Sequence, residues 1–168
     1  MKLLISVADQ VADLFDDAGT RVRRYPVSTA ANGVGELKDS YRTPRGRHIV
    51  RAKIGAGQPV NMVFVRRRPT GEIYTPDLYA QAPERDWILT RILWLSGCQP
   101  GFNRLGRVDT MRRYIYLHGT SDRTPLGAPG SHGCIRMANR DIVELFDLLP
   151  AGSEVEIVEA SRSAGERD

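Results

Sequence analysis

This sequence predicts a mainly β domain, a sandwich or partial barrel with one principal helix. Three observations carry that prediction. Six or seven short apolar runs rich in β-branched residues recur along the chain. Glycine, proline and aspartate clusters punctuate them at turn spacing. A single stretch, from Asn139 to Pro150, repeats its apolar residues convincingly at the helical period.

Taken in order, residues 3–8 and 21–27 alternate like strands. The turn signal Asp16-Asp17-Ala18-Gly19 between them suggests an N-terminal hairpin. Thr43-Pro44-Arg45-Gly46 marks a turn, after which 48–54 and 60–66 read as strands. Residues 67–86 are polar, carry Pro69, Pro76 and Pro83, and read as loop or irregular structure. Residues 87–95 are strongly apolar and read as a strand, because Ser96-Gly97 stops them too early for a helix. Residues 96–109 read as a glycine-rich loop with Pro100. Residues 114–117 form a strand that delivers His118 at its end. The stretch from Gly119 to Cys134 reads as loop, with Pro125, Gly127, Pro129 and Gly130. Asn139 is the expected N-cap of the helix, whose apolar face is Ile142, Val143, Leu145, Phe146 and Leu149 until Pro150 ends it. Residues 154–158 alternate as a last strand. One domain over 1–158 is expected, then a polar tail over 159–168 that frays from Ser161 onward.

Composition narrows the function classes. The chain has 168 residues, 41% hydrophobic and 26% charged, ordinary for one compact globular domain. The formal net charge is +4, and the strongest basic run is Arg66-Arg67-Arg68. That run reads as solvated surface, with attraction to an anionic partner such as a small acidic peptide as the sharper reading. No zinc-finger, RNA-binding or aromatic-platform pattern occurs, so nucleic acid is not an expected partner. No run of about 18 apolar residues exists, so no membrane insertion is expected. The apolar run after Lys2 is closed by Asp9 and is too short for a secretion signal. A cytoplasmic location is therefore the expectation. Two cysteines, Cys98 and Cys134, do not make a disulfide framework and read as reduced thiols.

The chemistry concentrates in Tyr116-Leu117-His118-Gly119-Thr120 and Ser131-His132-Gly133-Cys134-Ile135-Arg136-Met137. A thiol becomes a useful nucleophile beside an imidazole, which can pull its pKa from about 8.5 into the range of roughly 3.5–7.5. Cys134 is the candidate nucleophile. His118, at a strand end, is the candidate base. His132, two residues from Cys134, is expected to be structural or substrate-facing rather than the base. A backbone carbonyl is the expected holder of the second imidazole nitrogen. Gly133 and Cys134 can offer backbone N–H groups to an oxyanion, and a side chain at 133 would crowd that approach. Arg136, on the side of Cys134 if the segment is extended, suits a substrate carboxylate. His48 has no evident chemical partner and reads as structural. A reading of a different class makes Cys98, His118, His132 and Cys134 a zinc site. The spacing argues against it, since no paired C-x2–4-C or H-x3–5-H occurs. No metal or cofactor is expected.

These motifs closely resemble the L,D-transpeptidase (YkuD-type) catalytic domain. His118-Gly119-Thr120, a spacer, Ser131-His132-Gly133-Cys134-Ile135-Arg136-Met137 and the upstream Thr43-Pro44-Arg45-Gly46 turn carry the resemblance, which covers most of 1–158. It implies a β-rich fold, described as a β-sandwich with few helices, and action on peptidoglycan stem peptides. Cys134 would attack the carbonyl of meso-diaminopimelate and expel the terminal D-alanine, leaving a thioester. His118 would be the general base, oriented by the Gly119 carbonyl. The Gly133 and Cys134 amides would form the oxyanion hole, and Ser131, His132 and Arg136 would contact substrate. Without a leader, the chain resembles the short members that trim tetrapeptides with water as acceptor, an L,D-carboxypeptidase activity in muropeptide recycling. The alternative is transpeptidation, forming 3-3 cross-links or exchanging D-amino acids. The segments 67–86 and 96–109 are the expected lid that decides between them.

Overall fold

The computed structural model describes residues 1–161, so most of the expected polar tail lies outside the described residues. Ten strands run in the order β1 (Lys2–Ser6), β2 (Val11–Phe15), β3 (Arg21–Ser28), β4 (Gly46–Ile54), β5 (Met62–Val65), β6 (Arg68–Ile73), β7 (Ile88–Gly97), β8 (Tyr116–Thr120), β9 (Ile135–Ala138) and β10 (Glu154–Val158). Two helices join them, α1 (Pro76–Gln81) and α2 (Asn139–Leu148). The strands pair as β4-β10-β1-β2-β3-β9-β8-β7, and β7 pairs back to β4, so the ring closes as a barrel. β5 and β6 hang from the first residues of β7, through Val63 opposite Leu89 and Phe64 opposite Ile88.

Alternation explains the core. Leu3, Ile5, Leu14, Val27, Leu93, Leu95, Leu117, Ile135, Met137, Val155 and Ile157 meet inside the barrel, every one of them buried. The apolar face of α2 joins this core through Ile142, Leu145 and Phe146. Burying side chains of this kind contributes roughly 1.5–3 kcal/mol each, and this sets the register of every strand. Among the described residues no helix is long and apolar enough to cross a membrane.

Several elements differ from the sequence reading. The expected hairpin of 3–8 with 21–27 contains a further strand, β2, which pairs with both β1 and β3. Asp13 hides it in the sequence: a buried carboxylate at the middle of an apolar strand. Its oxygens accept from Arg24 Nε and Nη2, opposite it on β3, at 2.7 and 2.9 Å. The second 60–66 strand begins only at Met62, because Asn61 is left-handed (φ +69°). The 67–86 segment is not wholly irregular. It holds β6, a polar edge strand that tolerates Pro69, and α1, capped by Thr75 Oγ1 accepting from Leu78 N at 3.0 Å. β7 continues through Ser96 and Gly97, which pair with Ile49 and His48. β9 lies inside the motif that starts at Ser131. Asn139 is instead the first helical residue, and Ala138 at the cap position has no side-chain acceptor to make a cap bond.

Candidate active site

The two motifs converge because β8 and β9 are parallel neighbours. Leu117 pairs with Ile135 and His118 with Arg136. Side chains alternate across a sheet, and Leu117, Ile135 and Met137 point into the barrel core. Tyr116, His118, Cys134 and Arg136 therefore share the opposite face, where all four line one cleft of about 460 Å³. Cys134 precedes the position opposite Leu117, which puts it diagonal to His118 on that face.

The thiol is held by β8. Its Sγ accepts from Tyr116 N at 3.4 Å and donates to the Tyr114 carbonyl at 3.4 Å. His118 is 1% exposed, and its Nδ1 lies 2.7 Å from the Gly119 carbonyl. A carbonyl only accepts, so the neutral ring carries its proton on Nδ1 and leaves Nε2 basic. Burial pushes the Cys134 thiol up to about 12, with the Tyr116 N–H as the largest opposing influence and the Arg136 and Arg113 guanidinium groups also opposing. Burial also pulls the His118 imidazole below its ordinary value, against the Asp86 carboxylate and the Gly119 carbonyl. Desolvation thus works against ionisation of both groups, and the Tyr116 N–H and the Arg136 and Arg113 guanidinium groups work for the thiolate.

Gly119 must be glycine here. A Cβ would stand 2.4 Å from Asn139 Oδ1 and 2.6 Å from the Leu89 carbonyl. That contact belongs to a bulge in β7, where the register shifts between Leu89 and Ile92 and Thr90 takes φ +75°. A left-handed β-branched residue costs roughly 1–2 kcal/mol. Thr90 Oγ1 donates to Asn139 Oδ1 at 2.6 Å, and Asn139 Nδ2 donates to Asn61 Oδ1 at 2.7 Å. Asn61 N closes the network by donating to Thr90 Oγ1 at 3.0 Å. In sequence, Asn139 carries only a capping signal, and nothing in the spacing points to this network.

The turn before Cys134 is tied down equally. Thr43 Oγ1 accepts from Ala30 N and donates to the Gly133 carbonyl at 2.9 Å, linking the Thr43-Pro44-Arg45-Gly46 turn to the thiol loop. Gly133 has φ +131°, and a Cβ there would lie 3.1 Å from Ile115 Cδ1 and 3.3 Å from the Arg42 carbonyl. The backbone path at this position therefore calls for glycine. Its N–H donates to Ser131 Oγ at 3.2 Å, and that hydroxyl donates to the Cys134 carbonyl. His132 is exposed at the rim, edge-on to Tyr41 at 5.9 Å. Arg136 donates to the Gly130 carbonyl at 3.1 Å.

Arg66, Arg67, Asp86, Arg113, Tyr41 and Tyr114 also line the cleft, and sequence reasoning missed them. The arginine run was the available signal; exposed Arg66 and half-buried Arg67 both line the cleft. Of the expected lid segments, 67–86 reaches the cleft with Arg67 and Asp86. No residue of 96–109 lines it; Gln99 and Phe102 line a separate depression beside Arg45 and Glu156. Cys98 lies outside the cleft, its N–H on the Arg47 carbonyl at 2.9 Å. Among the described residues no cluster of three His, Cys, Asp or Glu is arranged to hold a metal, and Cys98 does not share the cleft lined by His118, His132 and Cys134. His48 is buried on β4, between the Gly46 carbonyl and Thr110 Oγ1, each at 3.0 Å.

The L,D-transpeptidase catalytic domain model (YkuD) matches residues 1–157. The probable L,D-transpeptidase ErfK/SrfK of Escherichia coli K12 is 43% identical over 144 residues, covering 75% of this chain and 42% of the relative. The probable L,D-transpeptidase YbiS of the same organism is 29% identical over 129 residues, covering 71% of this chain and 41% of the relative. The chain thus spans less than half the length of these relatives. The fold is that of L,D-transpeptidase 3 from Mycobacterium tuberculosis, solved in complex with a faropenem-derived adduct, with a TM-score of 0.57, 17% identity and coverage of 94% of this chain and 60% of that one.

Proposed function

Because this chain belongs to the L,D-transpeptidase catalytic domain family and is an enzyme of that family, we propose that it cleaves the meso-diaminopimelate–D-alanine bond of peptidoglycan tetrapeptide stems through a thioester on Cys134. The observation that carries this reading is the diagonal placement of Cys134 and His118 on one face of β8 and β9, opening into a single cleft.

In this reading the proton leaves sulfur during attack, since desolvation disfavours a separated thiolate–imidazolium pair. His118 Nε2 takes the Sγ proton as sulfur bonds to the carbonyl carbon. The Cys134 amide and the Gly133 amide, released from Ser131 Oγ, receive the oxyanion. One such donor is worth about 2.7–4 kcal/mol in the transition state. The tetrahedral adduct collapses by breaking the C–N bond, and the imidazolium returns its proton to the departing D-alanine amine. In the second half, His118 takes a proton from the acceptor as it attacks the thioester, and Sγ leaves with that proton. Ser131, His132 and Arg136 contact the stem peptide, Arg136 through a carboxylate.

Water is the acceptor in this reading, giving an L,D-carboxypeptidase. Four guanidinium groups and one carboxylate line the cleft. That charge excess disfavours an incoming ammonium and leaves water unaffected. The names of the relatives, L,D-transpeptidases, favour the second reading, in which an amine attacks. Mass spectrometry of products from a diaminopimelate tetrapeptide, with a D-amino acid as competing acceptor, separates the two. Tripeptide alone supports hydrolysis. A product carrying the D-amino acid replaces it with transpeptidation, and no product in either form removes the substrate assignment.

A further inference from the structure

The β5–β6 turn is built at a conformational cost. Its two residues, Arg66 and Arg67, connect the paired Val65 and Arg68, and both are left-handed, at φ +49° and +63°. A two-residue hairpin turn of this hand favours Asn-Gly, yet here it carries two long cations and brings both to the cleft. Tyr114, beside them, is left-handed as well, at φ +57°. Strained residues that gather at one cleft point to a ligand.

Arg67 is half-buried and set in an aromatic frame. Its guanidinium carbon lies 4.9 Å from the Trp94 ring centroid and 4.6 Å from that of Tyr114. Nη1 donates to Tyr116 Oη at 3.1 Å. Cation–π contact with the two rings holds the guanidinium in place without using a conventional hydrogen-bond donor. The Tyr116 bond takes one of five donors, and among the described residues no carboxylate pairs with Arg67. Arg113 differs: its guanidinium donates to the Gly35 carbonyl at 3.2 Å, Ser40 Oγ at 3.3 Å and the Arg42 carbonyl at 2.7 Å. The frame is also continuous with the thiol. Tyr116 N donates to Cys134 Sγ, and the Tyr114 carbonyl accepts from it.

We propose that Arg67, held by Trp94, Tyr114 and Tyr116, is a carboxylate subsite of the cleft that binds a carboxylate of the peptide acyl donor. The proposal rests on the stem-peptide reading given above. A planar fork with its edge free matches a carboxylate bidentately, and partial burial strengthens the pairing. The stem peptide offers two such groups near the scissile bond, the terminal α-carboxylate and the free carboxylate of the diamino acid.

The test measures binding to Cys134→Ala protein by calorimetry, with Arg67 or with Arg67→Met, which keeps an apolar body against the rings. Three tetrapeptides are compared: the free acid, the C-terminal amide, and the amide of the diamino-acid carboxylate. Arg67→Met is expected to weaken the free acid at least tenfold. It should weaken by less than twofold the one amide that removes the carboxylate Arg67 reads, and by tenfold the other. Arg67→Lys, which keeps charge without the fork, should fall between. Equal loss on all three peptides, no loss on any, or no measurable binding of the free acid to the Arg67 protein overturns the proposal. Turnover is followed separately in the Cys134 enzyme. Selective loss on binding without any wild-type turnover leaves the subsite standing and removes the catalytic reading; turnover without selective loss does the reverse.

Discussion

His48 makes the stability of this fold depend on acid. It is wholly buried on β4, where its Cα faces Val155 of β10 on one side and Gly97 of β7 on the other. Nδ1–H donates to the Gly46 carbonyl, and Nε2 accepts from Thr110 Oγ1. Burial lowers its pKa from 6.5 to about 4, with the Gly46 and Val155 carbonyls opposing the shift. Between those values the unfolded chain binds a proton that the folded one refuses. The stability is therefore fully present above about pH 6.5 and lost as pH falls toward about 4. With each pKa unit worth 1.36 kcal/mol, the loss amounts to about 3 kcal/mol. That is a large part of the roughly 5–15 kcal/mol that holds an ordinary domain folded. His48→Gln keeps one donor and one acceptor without a titrating group. Urea unfolding of both proteins from pH 7.5 to 4 isolates the effect, because the carboxylates are common to both. The wild type should lose about 3 kcal/mol relative to the variant across that range. Parallel profiles would refute the reasoning.

Three further outcomes follow from the site. Gly133→Ala places a Cβ against Ile115 and the Arg42 carbonyl at positive φ. It should cost roughly 1–3 kcal/mol in thermal unfolding and most of the turnover; an unchanged Tm would show that the turn is not fixed as described. Asn139→Ala strands the Thr90 hydroxyl and the Asn61 side chain, for a loss of about 1–3 kcal/mol in chemical denaturation; wild-type stability would dissolve the network's role. In Cys98→Ser protein, iodoacetamide should label Cys134 slowly at pH 8, because burial holds the thiol protonated. Labelling at the rate of a free cysteine would mean that the thiol rests ionised.

The sequence was most legible where chemistry and periodicity coincide. Alternation located β1 and β10, apolar and β-branched runs with their turn signals located β3, β4, β5, β7 and β8, and the spacing of Ile142, Leu145 and Phe146 located α2. The glycine-flanked His118 and Cys134 stood out because both residue types are rare and adjacent to conformational signals. What escaped depends on partners distant in sequence. β2 needs Arg24 to make Asp13 tolerable inside a strand. β6 is polar because it is an edge. Asn139 reads as a cap until the Thr90 bulge supplies its partners. Arg67 reads as surface until Trp94 and Tyr114 are seen to frame it. Spacing reveals the thiol's charged neighbours but not the desolvation that opposes them.

The most direct test of the central claim is intact-protein mass spectrometry during acylation by a penem, with the site mapped by peptide analysis. A single adduct should form at Cys134 in the wild type and in Cys98→Ser, be absent from Cys134→Ala, and form at least about 100-fold more slowly in His118→Ala. An adduct on another residue, or an acylation rate indifferent to His118, would contradict the account.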